Sequence, residues 1–405
     1  MHTFDVVIVG GGASGFFTAI NLAEQRPDLR IAILERSNEV LSKLKISGGG
    51  RCNVTHACFL PNLLVKYYPR GERELRGPFH TFCTGDVMEW FESRGIDLKI
   101  EEDGRVFPKS DSSQTIIDCF LQEASQLQIK IIKQTIVQKI KKSTTDWKIE
   151  TSNETFTCKQ LVMATGSNNK IWDLLQTVQH SVINPVPSLF TFNIKDDRIK
   201  DLMGVSTEMV TVKVKGTALK ASGPLLITHW GMSGPAILRL SAWGARDLFD
   251  KNYHFQIVIN WTSDCVFDEV LEALLNNKQL HPKKTIFKHP HYQLTQRLWQ
   301  QLVKAAGISE TTIWTDVPKK QLVQLTEQLT QSHFQVNGKS TFKEEFVTAG
   351  GVDLKEVDFK TMESKLHDNL YFTGEILNID AITGGFNFQN AWTTGFLAAQ
   401  AIAGK

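Results

Sequence analysis

The chain's six cysteines, Cys52, Cys58, Cys83, Cys119, Cys158 and Cys265, form no C-x-x-C pair. That absence argues against a zinc site, an iron–sulfur cluster or a vicinal redox disulfide, so reduced thiols and no metal are expected. No apolar run approaches the length of a membrane span. The N-terminus offers only the short apolar stretch Phe4–Val9, with no charged segment ahead of a longer apolar core. Neither a membrane anchor nor a secretory leader is therefore expected, and the cytoplasm is the expected compartment. A large charge of one sign is lacking too. The net charge is +2, so bulk electrostatics do not force a nucleic-acid partner. With 405 residues, 41% hydrophobic and 22% charged, the chain is an ordinary globular sequence long enough for two or three domains.

The first thirty-five residues carry the clearest pattern. Phe4–Val9 (FDVVIV) suits a fully buried strand, Gly10 to Gly15 follow, and apolar periodicity predicts a helix from about Ala13 to Glu24. Pro27 closes that helix, and Arg30–Glu35 (RIAILE) predicts a second strand. A strand–turn–helix–strand unit of this size implies a parallel sheet with a right-handed crossover. From Ile131 to Thr157, short strands such as TIVQKI and WKIET predict a small antiparallel meander, and QLVMA at Gln160–Ala164 predicts another buried strand.

Pro185 and Pro187 mark a change. Alternation predicts half-buried antiparallel strands at Phe190–Ile194, Met209–Val214, Leu225–Thr228 and Phe255–Ile259. The period then turns helical, with helices expected at Phe267–Leu275, Tyr292–Ala306 and Lys319–Leu329. Buried-strand chemistry returns at Phe346–Val352 and Asn369–Gly374, before a last helix over about Gln389–Ala403. The expected organisation is a nucleotide-binding first part (1–188), an inserted antiparallel β domain (189–264), an inserted helical domain (265–345) and the nucleotide domain's second part (346–405).

Gly10-Gly11-Gly12-Ala13-Ser14-Gly15 fits G-x-G-x-x-G between a strand and a helix. In that frame Gly10 permits the turn, Gly12 admits a pyrophosphate, and Gly15 lets helix and strand pack closely. The N–H groups of the helix start at Ala13 and Ser14 favour phosphate. Glu35, with Arg36 behind it, ends the second strand, where a carboxylate accepts hydrogen bonds from ribose hydroxyls. The motif alone does not choose between FAD and NAD. Two features favour FAD: the return to the first domain after a long insertion, and the lack of a second G-x-G-x-x-G. Ala164-Thr165-Gly166 ends one strand with small residues suited to close approach by a nucleotide. Thr373-Gly374-Glu375 ends another, and Gly384-Gly385-Phe386-Asn387 precedes the last helix.

Gly48-Gly49-Gly50-Arg51-Cys52-Asn53-Val54-Thr55 resembles the G-G-G-R-C-N signature of a bacterial NAD(P)/FAD-dependent oxidoreductase family that includes bile-acid enone reductases. The likeness extends to Gly104–Pro108, to Thr228–Ala236, to Thr348–Val352, and to Gly374-Glu375 through Asp380, Gly384–Asn387 and Gln389. One departure is Met232, where leucine is expected; the swap conserves volume. The resemblance implies an α/β fold in which a Rossmann-type FAD domain is interrupted by a β-barrel-like domain and a small helical domain. It implies noncovalent FAD, NAD(P)H as a transient electron donor, and reduction of an activated carbon–carbon double bond, with hydride from flavin N5 and a proton from an acid. Lys43, Gly49, Gly50, Arg51, Cys52, Asn53, Val137, Gly374, Glu375, Asp380, Gly385, Phe386 and Asn387 then join the expected cofactor residues. Arg51 suits a phosphate or ring oxygen.

Cys52 and His229 are the candidate proton donors. Cys52 sits in the expected cofactor loop; His229 sits in a Gly- and Ser-rich turn. Against each stands a structural role, as a small buried residue or a turn cap. His281, His289 and His291 do not make a metal site, since no carboxylate or cysteine lies nearby in sequence. Gly231-Met232-Ser233-Gly234-Pro235 lacks the last glycine of a hydrolase elbow. Between Ala273 and Ser309 there is no acid, while six Lys and Arg and three aromatics are interleaved. Such a stretch suits structured RNA, or else a solvated surface over a core. The alternative functions are therefore a dihydrouridine-forming reductase acting on uracil in RNA, an oxidase or dehydrogenase of a small amine or alcohol, and a flavin-binding sensor without turnover.

Overall fold

The computed structural model describes residues 2–340 and 347–405. Strand β1 (His2–Val9) is apolar at Val6–Val9, and all four are buried. Helix α1 (Ala13–Gln25) follows, with every residue from Ser14 to Ala23 buried. It ends at Arg26, just ahead of Pro27, which cannot continue a helix. Strand β2 (Ile31–Leu34) pairs parallel with β1, Val9 opposite Leu34. Helix α2 (Ser113–Gln126) is capped by the Ser112 hydroxyl and leads to β3 (Lys130–Ile132), parallel to β2. Strands β4 (Val137–Lys142), β5 (Trp147–Thr151) and β6 (Thr155–Met163) form the expected antiparallel meander. Strand β6 then runs parallel beside β1, Met163 opposite Val9.

The chain divides into two compact units, Met1–Val186 with Lys343–Lys405, and Pro187–Phe342. The second unit contains β7 (Ser206–Val214), β8 (Lys220–Thr228), α3 (Pro235–Trp243), β9 (His254–Asn260), α4 (Phe267–Leu280), α5 (Gln296–Ala305), α6 (Lys319–Thr330) and β10 (Ser332–Asn337). Its antiparallel sheet runs β10–β9–β7–β8 and continues through Gly231–Ser233 and Thr191–Asn193. The separate β and helical domains expected at 189–264 and 265–345 are one body here. Val212, Ile257 and Phe334 of the sheet share a single core with Trp299, Trp314 and Leu322 of the helical segment. A one-faced sheet and three amphipathic helices each need a partner for their apolar side, and they supply it to each other. The expected boundary at 345/346, and the strand start at Phe346, lie outside the described residues.

One helix start differs from expectation for a backbone reason. Tyr292 and Gln293 have φ near 57° and 56°, a left-handed conformation that cannot lie inside a right-handed helix. Helix α5 therefore begins after Thr295, whose hydroxyl accepts from Leu298 N–H. Back in the first unit, β11 (Leu370–Phe372) completes a parallel sheet ordered β11–β6–β1–β2–β3. Helix α7 (Phe386–Ala403) begins three residues earlier than the sequence pattern suggests. It lies so close to α1 that a Cβ on Gly395 would be 3.0 Å from Thr18 Oγ1. Among the described residues no helix is long and apolar enough to cross a membrane.

Candidate functional site

The carboxyl ends of β1, β6 and β11 gather three small-residue turns at one edge of the first unit's sheet, as an open parallel sheet does at its ligand site. In the first turn the glycines divide the work. A Cβ on Gly10 would lie 2.4 Å from Ala164 O, and one on Gly15 would lie 2.0 Å from Gly10 O, so the fold itself excludes side chains there. A Cβ on Gly12 would meet nothing within 4 Å. Gly12 is also the N-cap of α1 and brings no side-chain acceptor, so the first-turn N–H groups at Ala13 and Ser14 face an open cradle. This is the arrangement a pyrophosphate requires, and it fits FAD. The Ser14 hydroxyl itself donates to Thr373 O at 3.3 Å, tying α1 to the end of β11.

Glu35 closes one side. Its Oε2 accepts from Gly11 N–H at 2.8 Å, and Oε1 accepts from Ser37 N–H and Oγ at 2.9 and 2.8 Å. Oε2, with a single donor, keeps acceptor capacity for a ribose hydroxyl. Arg36 is exposed beside it. Thr135 N–H donates to Glu35 O at 2.9 Å, which brings buried Val137, the first residue of β4, near the same turn.

At the end of β6, Ala164 N–H donates to Val9 O, and Thr165 and Gly166 follow. Lys43 and Glu375 meet here at 2.6 Å, with Gly166 against both and Ser167 Oγ 3.4 Å from the lysine. The pair neutralises itself, so Lys43 does not stand free for a phosphate. Gly374 N–H is held by Thr394 Oγ1 at 2.9 Å.

The G-G-G-R-C-N loop separates backbone from side-chain roles. Gly49 and Gly50 take φ of 70° and 84°, and a Cβ on either would meet nothing within 4 Å. Their backbone thus borders open space. Arg51 corrects the expectation of a cofactor contact. Its guanidinium pairs with Glu101 at 2.6 Å and Asp111 at 3.4 Å, and stacks on Phe107 at 3.9 Å. Cys52 corrects the expectation of a proton donor. It is 0% exposed, and burial pushes its thiol up to about 12. A group without accessible surface does not reach a substrate. The Asn53 amide is spent on backbone: it accepts from Gly385 N–H at 2.9 Å and donates to Thr55 O and Val106 O.

Two further expected cofactor side chains are structural. Asp380 is 0% exposed and forms a bidentate pair with Arg70. Asn387 exchanges hydrogen bonds with the backbone of Ala381, at 3.0 and 3.2 Å. What remains at the start of α7 is Gly385 as an N-cap without a side-chain acceptor, followed by Phe386. The Phe386 ring stacks on Tyr67 at 4.3 Å and on His56 at 4.6 Å, a cluster the sequence reading missed. His56 directly follows the family-like stretch Gly48–Thr55, and that adjacency is its signal. Burial lowers its pKa, and its Nε2 lies 3.2 Å from Asp103 O.

His229 belongs to the second unit. It is exposed at the turn after β8, its ring 4.0 Å from that of Trp230. The glycines around it serve packing: a Cβ on Gly231 would lie 2.1 Å from Phe192 O. His289 has its ring 4.7 Å from that of His281 and 5.0 Å from that of His291, but no group of three or more His, Cys, Asp or Glu among the described residues is placed to hold a metal. In the 273–309 stretch Phe287 and Trp299 are buried in the core, so they are not stacking platforms. Lys278 donates to Val317 O, Lys304 pairs with Glu310, and Lys283, Lys284 and Lys288 stay exposed.

The chain is similar to a 3-dehydro-bile acid delta(4,6)-reductase of Clostridium scindens, 26% identical with 98% of each chain covered. It is similar to a ribosomal RNA dihydrouridine synthase of Escherichia coli, 27% identical over 99% of this chain and 98% of that one. The fold is shared with a 3-ketosteroid-delta4-(5alpha)-dehydrogenase from Rhodococcus jostii at a TM-score of 0.52 and 13% identity, covering 99% of this chain and 97% of the other. The model of the HI0933-like protein Rossmann domain matches residues 4–401, so the chain belongs to that family and is an FAD-dependent oxidoreductase.

Proposed function

We propose that the protein reduces an activated carbon–carbon double bond in a small enone, taking its electrons from NAD(P)H. The observation that carries this reading is the end-to-end likeness to a bile-acid enone reductase, together with a nucleotide cradle whose open positions suit FAD. Bound there, FAD supplies hydride transfer. The chain's own contribution is placement. The start of α1 meets the pyrophosphate with N–H groups, Glu35 accepts from the ribose, and Gly49 and Gly50 leave room for the cofactor. The uncapped start of α7 offers its N–H groups to developing negative charge. His229 is the proposed proton donor, Cys52 having no accessible surface.

A second reading has the same chemistry on uracil in a structured RNA. It is supported by the relatives named for ribosomal RNA dihydrouridine synthesis. One anaerobic experiment addresses both. The yellow enzyme is mixed with NADH or NADPH, and bleaching of the flavin is followed. The reduced enzyme is then offered a 3-keto steroid enone, a ribosomal RNA fragment, or oxygen. Rapid reoxidation by the enone supports the main reading, and reoxidation by RNA alone replaces it with the second. Reoxidation by oxygen alone, with peroxide formed, points to an oxidase and defeats both. His229→Gln should slow the enone step while leaving bleaching by NAD(P)H nearly unchanged.

A further inference from the structure

The second unit carries an open groove of about 680 Å³ on the outer face of its sheet. Lys213 and Lys215 of the β7 edge and Lys220 of β8 line it, facing Val258 and Asn260 of β9 and the start of α4 at Val266 and Phe267. The alternation that buries Val210, Val212 and Val214 in the core turns Thr211, Lys213 and Lys215 outward. Lys213 and Lys215 are exposed and make no ion pair among the described residues. Lys220 is 3.6 Å from Asp264, both largely exposed, a contact worth little.

Most of the groove's directional groups are already used, and the Asp264 carboxylate shares the lining with the lysines. Thr211 bonds Ser222 at 2.8 Å, Thr217 donates to Val214 O at 3.0 Å, and Thr330 donates to Thr326 O at 2.8 Å. Asn260 donates to Cys265 O and accepts from Thr262 N–H and Oγ1. A specific small-molecule site would hold such groups ready. Here the ammonium groups are the main free ones, and they are point charges on flexible stems. Lys213 lies near the end of β7, Lys215 just past it, and Lys220 opens β8 directly across from Lys213. Point charges in a row over an open trough recognise a repeated anion, not one molecule's shape.

We propose that this groove holds the phosphate backbone of an RNA. The charge of the unit agrees. Residues 187–342 carry eighteen Lys and Arg against thirteen Asp and Glu, whereas the rest of the chain carries twenty-seven against thirty. The groove is distinct from the 273–309 stretch that the sequence singles out, whose Phe287 and Trp299 are committed to the core. The inference rests on the RNA reading of the function.

The test uses the full-length flavoprotein and a fluorescently labelled RNA hairpin, with anisotropy measured between about 50 and 200 mM salt. Lys213→Gln, Lys215→Gln and Lys220→Gln are combined in one variant, and Lys283→Gln, Lys284→Gln and Lys288→Gln in another. The groove variant should bind at least tenfold more weakly, and its log–log salt slope should fall by about two to three. Its flavin content and bleaching by NAD(P)H should not change. Loss of binding in the second variant alone would move the site off the groove and overturn the inference. Wild-type protein that binds no RNA at low salt would remove the RNA reading itself. Inorganic pyrophosphate that competes as well as RNA would make the groove a small-anion site, which also overturns the inference.

Discussion

Gly12 and Gly15 are glycines for opposite reasons. At Gly15 the protein's own backbone occupies the space, whereas at Gly12 nothing does. Gly12→Val should therefore fold with unchanged circular dichroism and purify without flavin, because its Cβ meets no protein atom within 4 Å and stands where the pyrophosphate would lie. A colourful Gly12→Val protein would contradict the site. Glu35→Ala should weaken FAD by roughly 1.5–3 kcal/mol, the range of a hydrogen bond to a charged group, as read by flavin titration of the apoprotein. The Arg70–Asp380 pair carries a different expectation. Asp380 is 0% exposed and the Arg70 side chain 14%. Arg70→Met takes the guanidinium away from a buried carboxylate and should cost about 3–5 kcal/mol in denaturant unfolding. Asp380→Asn leaves an arginine that still reaches water and should cost less. Equal losses would mean that Arg70 is as dependent on the pair as Asp380. Asp380 was visible in the sequence within a family-like block, but its partner 310 positions away was not, because no local pattern encodes a contact across that distance.

At the scale of elements, the start of α7 is held by the loop that follows the three glycines. Asn53 accepts from Gly385 N–H, Tyr68 OH donates to Phe386 O, Trp392 Nε1 donates to Val54 O, and Thr55 Oγ1 bonds Gln389. The side chains of this loop thus build the frame, and the bare backbone of Gly49 and Gly50 is left for the ligand. Asn53→Ala should cost about 1–3 kcal/mol, because it leaves buried backbone groups unpaired. It should lower both the melting temperature of the apoprotein and its affinity for FAD, while Gly12→Val lowers the affinity alone. An Asn53→Ala apoprotein as stable as wild type would refute the bracing role. The β1–α1–β2 unit was legible because its determinants are local: a buried strand, a glycine turn, a helical period and a closing proline. Less was legible where conformation is set by distant partners. The sequence pattern places the start of α7 three residues late because the Gly-Phe-Asn start has no polar cap to announce it. The left-handed residues Tyr292 and Gln293 sit in an apolar-periodic stretch that looks helical throughout.

For the whole molecule, two units with separate cores should respond to separate variables. The nucleotide cradle lies wholly in the unit formed by Met1–Val186 and Lys343–Lys405. FAD in hundredfold excess over its Kd should raise the stability of that unit by about 2.7 kcal/mol. Acid should act on the other unit through His291, whose ring lies 5.0 Å from that of His289, 5.4 Å from Trp299 and 5.7 Å from Trp314. Burial, then the nearby charges of His289 and His281, bring its pKa down from 6.5 to about 4. His289, which also faces Lys284, is lowered in the same direction. The unfolded chain therefore takes up a proton at His291 near pH 6.5, and the folded chain only near pH 4. Stability from this group is complete above 6.5, falls as pH drops through that window, and levels off below it. The loss should be on the order of 1–3 kcal/mol. Scanning calorimetry should resolve two transitions, since one all-or-none step is not expected of two cores. Excess FAD should raise one of them, and lowering the pH from 7 to about 4.5 should lower the other more steeply in wild type than in His291→Phe. A single transition that follows both FAD and His291 would show instead that the two cores unfold as one.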